Sequence, residues 1–131
     1  MIKRYLAKII AKDSEGLQLI SACCAGAKVK ISEIKYLPKN KIFLLSLERF
    51  SKEADNDNLK VNSICKFEYV DSVKSKKIEQ DNFEQKLELI AIDYLKNSNN
   101  YEINLIFTNK AYITLSTEII EVTLENQNEI A

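Results

Sequence analysis

The sequence predicts an α+β fold: a β-rich antiparallel sheet or rolled barrel of seven to eight strands, with one N-terminal helix packed on it. Three observations point there. Most segments between turn signals alternate apolar and polar residues with a period of two, as a strand with one buried face does. Only one segment, near the N-terminus, has helical spacing behind a capping residue. The connections are short, and the repeated crossover helices that a parallel sheet requires are missing. The 131 residues suit one domain over 1–131.

The elements follow in order. Arg4 to Ala11 reads as a strand, with Tyr5, Ala7 and Ile9 on one face and Leu6 and Ile10 on the other. Asp13 or Ser14 can cap a helix by accepting from the exposed N–H groups of its first turn, and Glu15 suits the positive end of the helix dipole. Leu17, Ile20, Ser21 and Cys24 recur at helical spacing, and Gly26 suits a left-handed C-terminal cap, so the helix spans about Ser14 to Ala25. Val29 and Ile31 then alternate with Lys28 and Lys30, and Ile34 and Tyr36 with Glu33 and Lys35. The phase slips near Ser32 and Glu33, which marks a bulge or bend. Leu37 to Asn40 is a turn with Pro38 at its corner.

Ile42 to Phe50 is apolar on both faces in its middle, which argues for a central strand. Ser51 to Asn58 is polar and acidic, a loop and a candidate for local disorder. Val61 to Val73 is a strand region, and Lys74 to Phe83 a polar crossing. Leu87 to Leu95 is again two-faced. Asn97 to Asn100 reads as a hairpin loop, since Asn tolerates positive φ, and Tyr101 to Phe107 alternates cleanly. Thr108 to Ala111 is a tight hairpin with Asn109 at a positive-φ corner, returning through Ala111 to Thr117. Residues 117–126 fit a bulged continuation, a second strand or a helix, with β-branched residues favouring strand. Gln127 to Ala131 is expected to fray. The strand cores at 42–48 and 87–93 are alike, which raises a weak internal duplication of a strand–hairpin unit, 28–50 against 72–95.

Composition removes much chemistry. The chain has no histidine, so a Ser-His-Asp or Cys-His nucleophile cannot be built within it. Gly16 and Gly26 stand too far apart for a glycine-rich phosphate loop. A zinc centre needs a set of Cys and His ligands. Only Cys23, Cys24 and Cys65 are present, so no metal or cofactor is expected. An odd cysteine count, no continuous apolar leader and no run of roughly 20 apolar residues suggest a reduced, cytoplasmic chain off the membrane.

The net charge is zero, yet it is unevenly spread. Met1 to Arg49 holds ten Lys/Arg against four acids, or +6, whereas Ala111 to Ala131 holds four Glu and no Lys or Arg, or −4. The two ends either pair within the fold or meet a partner.

Several stretches together resemble a known family: Leu19-Ile20-Ser21-Ala22, Val29 to Ile34, Tyr36-Leu37-Pro38, Phe43 to Phe50, Phe67 with Val70 and Val73, and Leu89-Ile90-Ala91-Ile92. The sequence is similar to an uncharacterised alphaproteobacterial family of small cytoplasmic proteins, a domain of unknown function. The likeness extends to about Leu124. It implies the domain limits and a bacterial setting, and it carries no activity or site residue.

Two groups of residues are candidates for function. Lys28, Lys30, Lys35, Lys39 and Lys41 lie around the Pro38 turn and could form an anion-contact strip, although a solvated face explains them too. With Arg4 and Arg49 the only arginines and most aromatics at core positions, the sequence argues against nucleic acid. Cys23 and Cys24 could hold a reactive thiol, but the C-terminal end of a helix disfavours an anion, and one of two neighbours ordinarily packs in the core. Glu48 and Asp93, at matching ends of the two similar strands, would pair if those strands were neighbours. The functional expectation is a non-enzymatic interaction module, binding a protein partner or itself. The alternative is a small-ligand binder or enzyme with a barrel-mouth pocket of Tyr and carboxylate groups.

Overall fold

A computed structural model describes residues 8–50, 60–78 and 85–130 of the chain, the last three as backbone. The expected strand at 4–7, the loop at 51–58 and the second half of the crossing at 74–83 lie outside these residues, while the crossing's start, 74–76, belongs to β6.

The elements are β1 (Lys8–Ala11), α1 (Ser14–Cys24), β2 (Lys28–Lys30), β3 (Ile34–Leu37), β4 (Ile42–Phe50), β5 (Lys60–Phe67), β6 (Val70–Lys76), β7 (Lys86–Lys96), β8 (Tyr101–Phe107), β9 (Tyr112–Thr117) and β10 (Val122–Ile130). The expectation of seven to eight strands is therefore corrected to ten, in one open antiparallel sheet ordered β1-β10-β5-β4-β2-β7-β8-β9-β6, with β3 paired to β4 beside β2. Backbone breaks raise the count. A 3-10 turn at Ile31–Glu33 divides β2 from β3 where the phase slips. Tyr69, at φ 59°, cuts the region at 61–73 into β5 and β6. The ambiguous 117–126 stretch resolves into the end of β9, a bend, and β10. The expected fraying from Gln127 is overturned, because main-chain pairing to β5 continues to Ile130 opposite Lys60.

The sheet has two halves, joined where β2 pairs with the start of β7. One half holds β1, β10, β5 and β4; the other holds β7, β8, β9 and β6. A two-stranded ribbon also runs from one half to the other. β5 leads into β6 through Tyr69, and β9 leads into β10 through 118–121. The two bends are tied by Glu68 N–H to Glu121 C=O (3.0 Å) and Glu118 N–H to Tyr69 C=O (3.2 Å). The two halves share one core, to which alternate residues of each contribute: Phe43, Leu45 and Leu47 from β4, Ile103, Leu105 and Phe107 from β8. The outward residues of β4 are half-buried rather than covered.

The helix forms as its sequence directs. Asp13 Oδ1 accepts from Gly16 N–H at 2.8 Å, and Leu17, Ile20 and Cys24 turn into the core. Gly26 then takes φ 86°, which an L side chain resists. Its N–H reaches Leu89 C=O at 2.7 Å, and Leu89 N–H returns to Ala27 C=O at 2.8 Å. Ser21 Oγ accepts from Ile92 N–H at 2.9 Å. The helix thus shields the part of the β7 edge that β2 leaves unpaired. The hairpin at Asn109 has the expected positive φ of 62°. The loop at 97–100 contains none; it closes through Asn97 N–H to Asn100 C=O at 2.8 Å.

Basic and acidic ends meet within the fold. Lys8 stands opposite Glu125 across β1 and β10. Lys41 contacts Asp71 at 3.1 Å and Glu118 at 3.2 Å. These carboxylates raise the Lys41 pKa above its ordinary value, by hydrogen bonding first and charge attraction second.

Candidate functional site

The five lysines around Pro38 do not form one strip. Lys28 is held by Glu88, and Lys41 is held by Asp71 and Glu118. Lys35 and Lys39 are exposed, on β3 and in the following turn. Only Lys28 and Lys30 share a cleft. Glu48 and Asp93 are also apart, because β2 separates β4 from β7. Glu48 faces Lys60 and Lys86 at 3.8 and 3.9 Å. Asp93 accepts from Tyr94 N–H at 2.7 Å and borders a recess of about 430 Å³ with Asn104 and Tyr112.

Cys23, Cys24 and Cys65 are free thiols, all buried. A hydrogen bond with Cys24, then burial, pushes the Cys65 thiol up in pKa against the weaker opposing charge of Arg49. Such thiols behave as small core hydrophobes. Arg49 is itself only 4% exposed. It donates to Cys23 C=O (3.3 Å), Ser63 Oγ (2.9 Å) and Asn126 Oδ1 (2.7 Å). Helix α1 has no basic residue in its last turn. Arg49, arriving from β4, supplies the cation that this negative end favours.

An opening lies at the seam where the sheet fails to close. Among the described residues, β3 pairs only with β4 and β6 only with β9, so each presents one free edge. At one end the edges are pinned. Tyr36 Oη donates to Val70 C=O at 3.0 Å, and Val70 N–H donates to Lys41 C=O at 2.8 Å. Beyond the pin lies a cleft of about 470 Å³. Its walls are Ile31, Ser32, Ile34 and Tyr36 on one side and Val73, Ser75 and Ile78 on the other, with Phe43 and Ile113 also lining it. Phe43 is fixed by an edge-on contact with Phe67, centroids 6.0 Å apart. The strand period explains the lining: Val73 and Ser75 are two apart on β6, and Ile34 and Tyr36 two apart on β3.

The cleft is apolar with three hydroxyls, from Ser32, Ser75 and Tyr36. Its described lining contains one Tyr and no carboxylate, whereas the recess at Asp93 and Tyr112 brings a carboxylate and a tyrosine together. Small-molecule sites characteristically combine an apolar wall with a few placed polar groups in this volume range. Immediately behind the 3-10 turn, Gln85 C=O accepts from Ile31 N–H at 3.2 Å, and Gln85 Oε1 is buried without a partner. Among the described residues no group of three His, Cys, Asp or Glu is placed to hold a metal, and no helix is long and apolar enough to cross a membrane. Sequence reasoning missed this cleft. Its one signal was Ile78, a large apolar residue in the middle of a polar crossing.

A family model described as "Protein of unknown function (DUF2948)" matches residues 7–130. No curated protein and no solved structure matches the chain.

Proposed function

We propose, since the chain belongs to this family of unknown function, that it is a binding module whose site is the cleft between the free edges of β3 and β6. The ligand is a small, mainly apolar molecule with a hydroxyl or carbonyl group. The observation that carries this reading is the cleft of about 470 Å³ with Ile31, Ile34, Val73 and Ile78 along its walls and hydroxyls beside them. Burying apolar ligand surface there gains about 25 cal/mol per Å², and Ser32 or Ser75 fixes the polar group. Titration with 1-decanol, followed by methyl shifts of Ile31, Ile34 and Val73, tests it. Saturable shifts confined to the cleft, lost when Ser75→Phe fills it, are expected. Shifts absent or spread evenly over the surface would overturn it.

A second reading rests on the free edges themselves. Unpaired main-chain groups on β3 and β6 can accept an extended segment of a partner protein or of a second copy. A molecular mass in solution that doubles with concentration, and reverts with Pro in place of Lys35, supports self-association. The three buried free thiols fit a reducing cytoplasm, and the sequence resemblance supports a bacterial source.

A further inference from the structure

A second cleft lies on the polar side of the same 3-10 turn. Lys30 and Glu33, which bracket Ile31 and Ser32, line a pocket of about 290 Å³ with Lys28, Glu48, Asn62 and Lys86. Strand register assembles it. β2 runs between β4 and β7, so Lys28 stands opposite Glu48 on one side and Glu88 on the other, and Glu88 takes its ammonium. Two residues on, Lys30 stands directly opposite Lys86. Like charges placed directly across a sheet repel, and the arrangement is destabilising. Little relieves it here. Lys86 Nζ is 3.9 Å from Glu48 Oε2, and Glu48 also serves Lys60 at 3.8 Å. Lys30 is half-buried, and its side chain has no hydrogen bond or ion pair among the described residues.

We propose that this cleft binds a small phosphate-type dianion between Lys30 and Lys86. Lys28, already held by Glu88, lines the side of the cleft, and Glu33 and Glu48 accept from hydroxyl groups on the ligand's body. The two lysines opposed in register are the reason. An anion between them turns a repulsion into two charge-assisted contacts. Lysine suits this task because its ammonium is a compact point charge that turns to meet a phosphate oxygen. The ligand is a small molecule and not a nucleic acid. A polymer backbone requires cations along a groove, whereas Lys35 and Lys39 stand apart from this pocket and Lys41 is engaged by two carboxylates. The site is independent of the apolar cleft and stands or falls without it.

Titration of the full chain with sodium phosphate, at ionic strength held constant with chloride, tests the proposal through the amide shifts of residues 28–31 and 86–88. Saturable shifts are expected there. Lys30→Gln and Lys86→Gln should each weaken binding by roughly tenfold or more. In phosphate-free buffer Lys30→Gln should melt roughly 1–3 °C higher than the parent, because the opposed pair is gone. A lysine kept only for structure would melt lower when replaced. Unsaturable shifts, parent-like binding in both variants, a lower melting point for Lys30→Gln, or binding of an oligonucleotide but not of phosphate would each overturn it.

Discussion

Replacing Asn126 by alanine should cost this protein a large share of its stability. Asn126 lies on β10 and is 3% exposed. Its Oδ1 takes two hydrogen bonds, from Arg49 Nη2 at 2.7 Å and from Ser63 Oγ at 2.7 Å. One donor is charged and both are buried. Losing a hydrogen bond to a charged group costs about 1.5–3 kcal/mol, and to a neutral buried group about 1 kcal/mol. The sum is roughly 2.5–4 kcal/mol, against a total of about 5–15 kcal/mol for a natural domain. For a chain of this length the melting point should fall by roughly 10–15 °C. Asn126→Asp keeps the oxygen that accepts both bonds and sets a carboxylate against the guanidinium, so it should stay within about 1 kcal/mol of the parent at pH 7. Urea unfolding followed by circular dichroism gives both values. An alanine variant within about 0.5 kcal/mol of the parent, or an aspartate variant as weak as the alanine one, refutes the reasoning.

The other predictions follow from single contacts. Alanine at Gly16 places a Cβ 2.9 Å from both Cα and Cβ of Ala11, a close approach that only the β1 backbone can relieve; a loss of about 1–3 kcal/mol on urea unfolding is expected. At Gly26 nothing lies within 4 Å, so alanine there costs only the φ of +86°, about 1–2 kcal/mol, and asparagine should recover part of it. The raised Cys65 pKa means that the unfolded thiol ionises first, near its ordinary 9.0, while the folded one stays protonated. Its contribution is complete below pH 9.0 and is lost as pH rises, at about 1.4 kcal/mol per pH unit above that point. Denaturant midpoints between pH 8 and pH 10 in parent and Cys65→Ala check this, and the variant should show the shallower decline. Thr117 Oγ1 is buried with no partner, so Thr117→Val should be neutral or stabilising by up to about 1.5 kcal/mol.

The sequence predicts the fold best where several local signals agree. Helix α1 ends one residue from its expected limit because cap, spacing and Gly26 agree. The alternation of Tyr101 to Phe107 and its return through Asn109 reappear as β8 and β9. Prediction weakens where the backbone turns without a turn residue. Tyr69 takes a left-handed conformation in the middle of what reads as one strand. No local pattern marks it, because the corner is fixed by bonds between Glu68 and Glu121 and between Glu118 and Tyr69, some fifty residues apart. The same limit hides the site. Ile31 and Ile34 flank a phase slip and Ile78 lies in a polar crossing, and they become one cleft only when β3 and β6 are brought together by distant pairing. No local pattern marks Arg49 as buried, yet its register opposite Val61 carries it beneath α1.

The proposed function depends on the cleft between β3 and β6. Its most direct test is the chemical-shift titration of the intact chain with 1-decanol, run beside Ser75→Phe. The prediction is saturable movement of the Ile31, Ile34, Val73 and Ile78 methyl signals in the parent and none in the variant, with both proteins melting alike. Parent signals that stay fixed to the solubility limit, or equal movement in the filled variant, would contradict it.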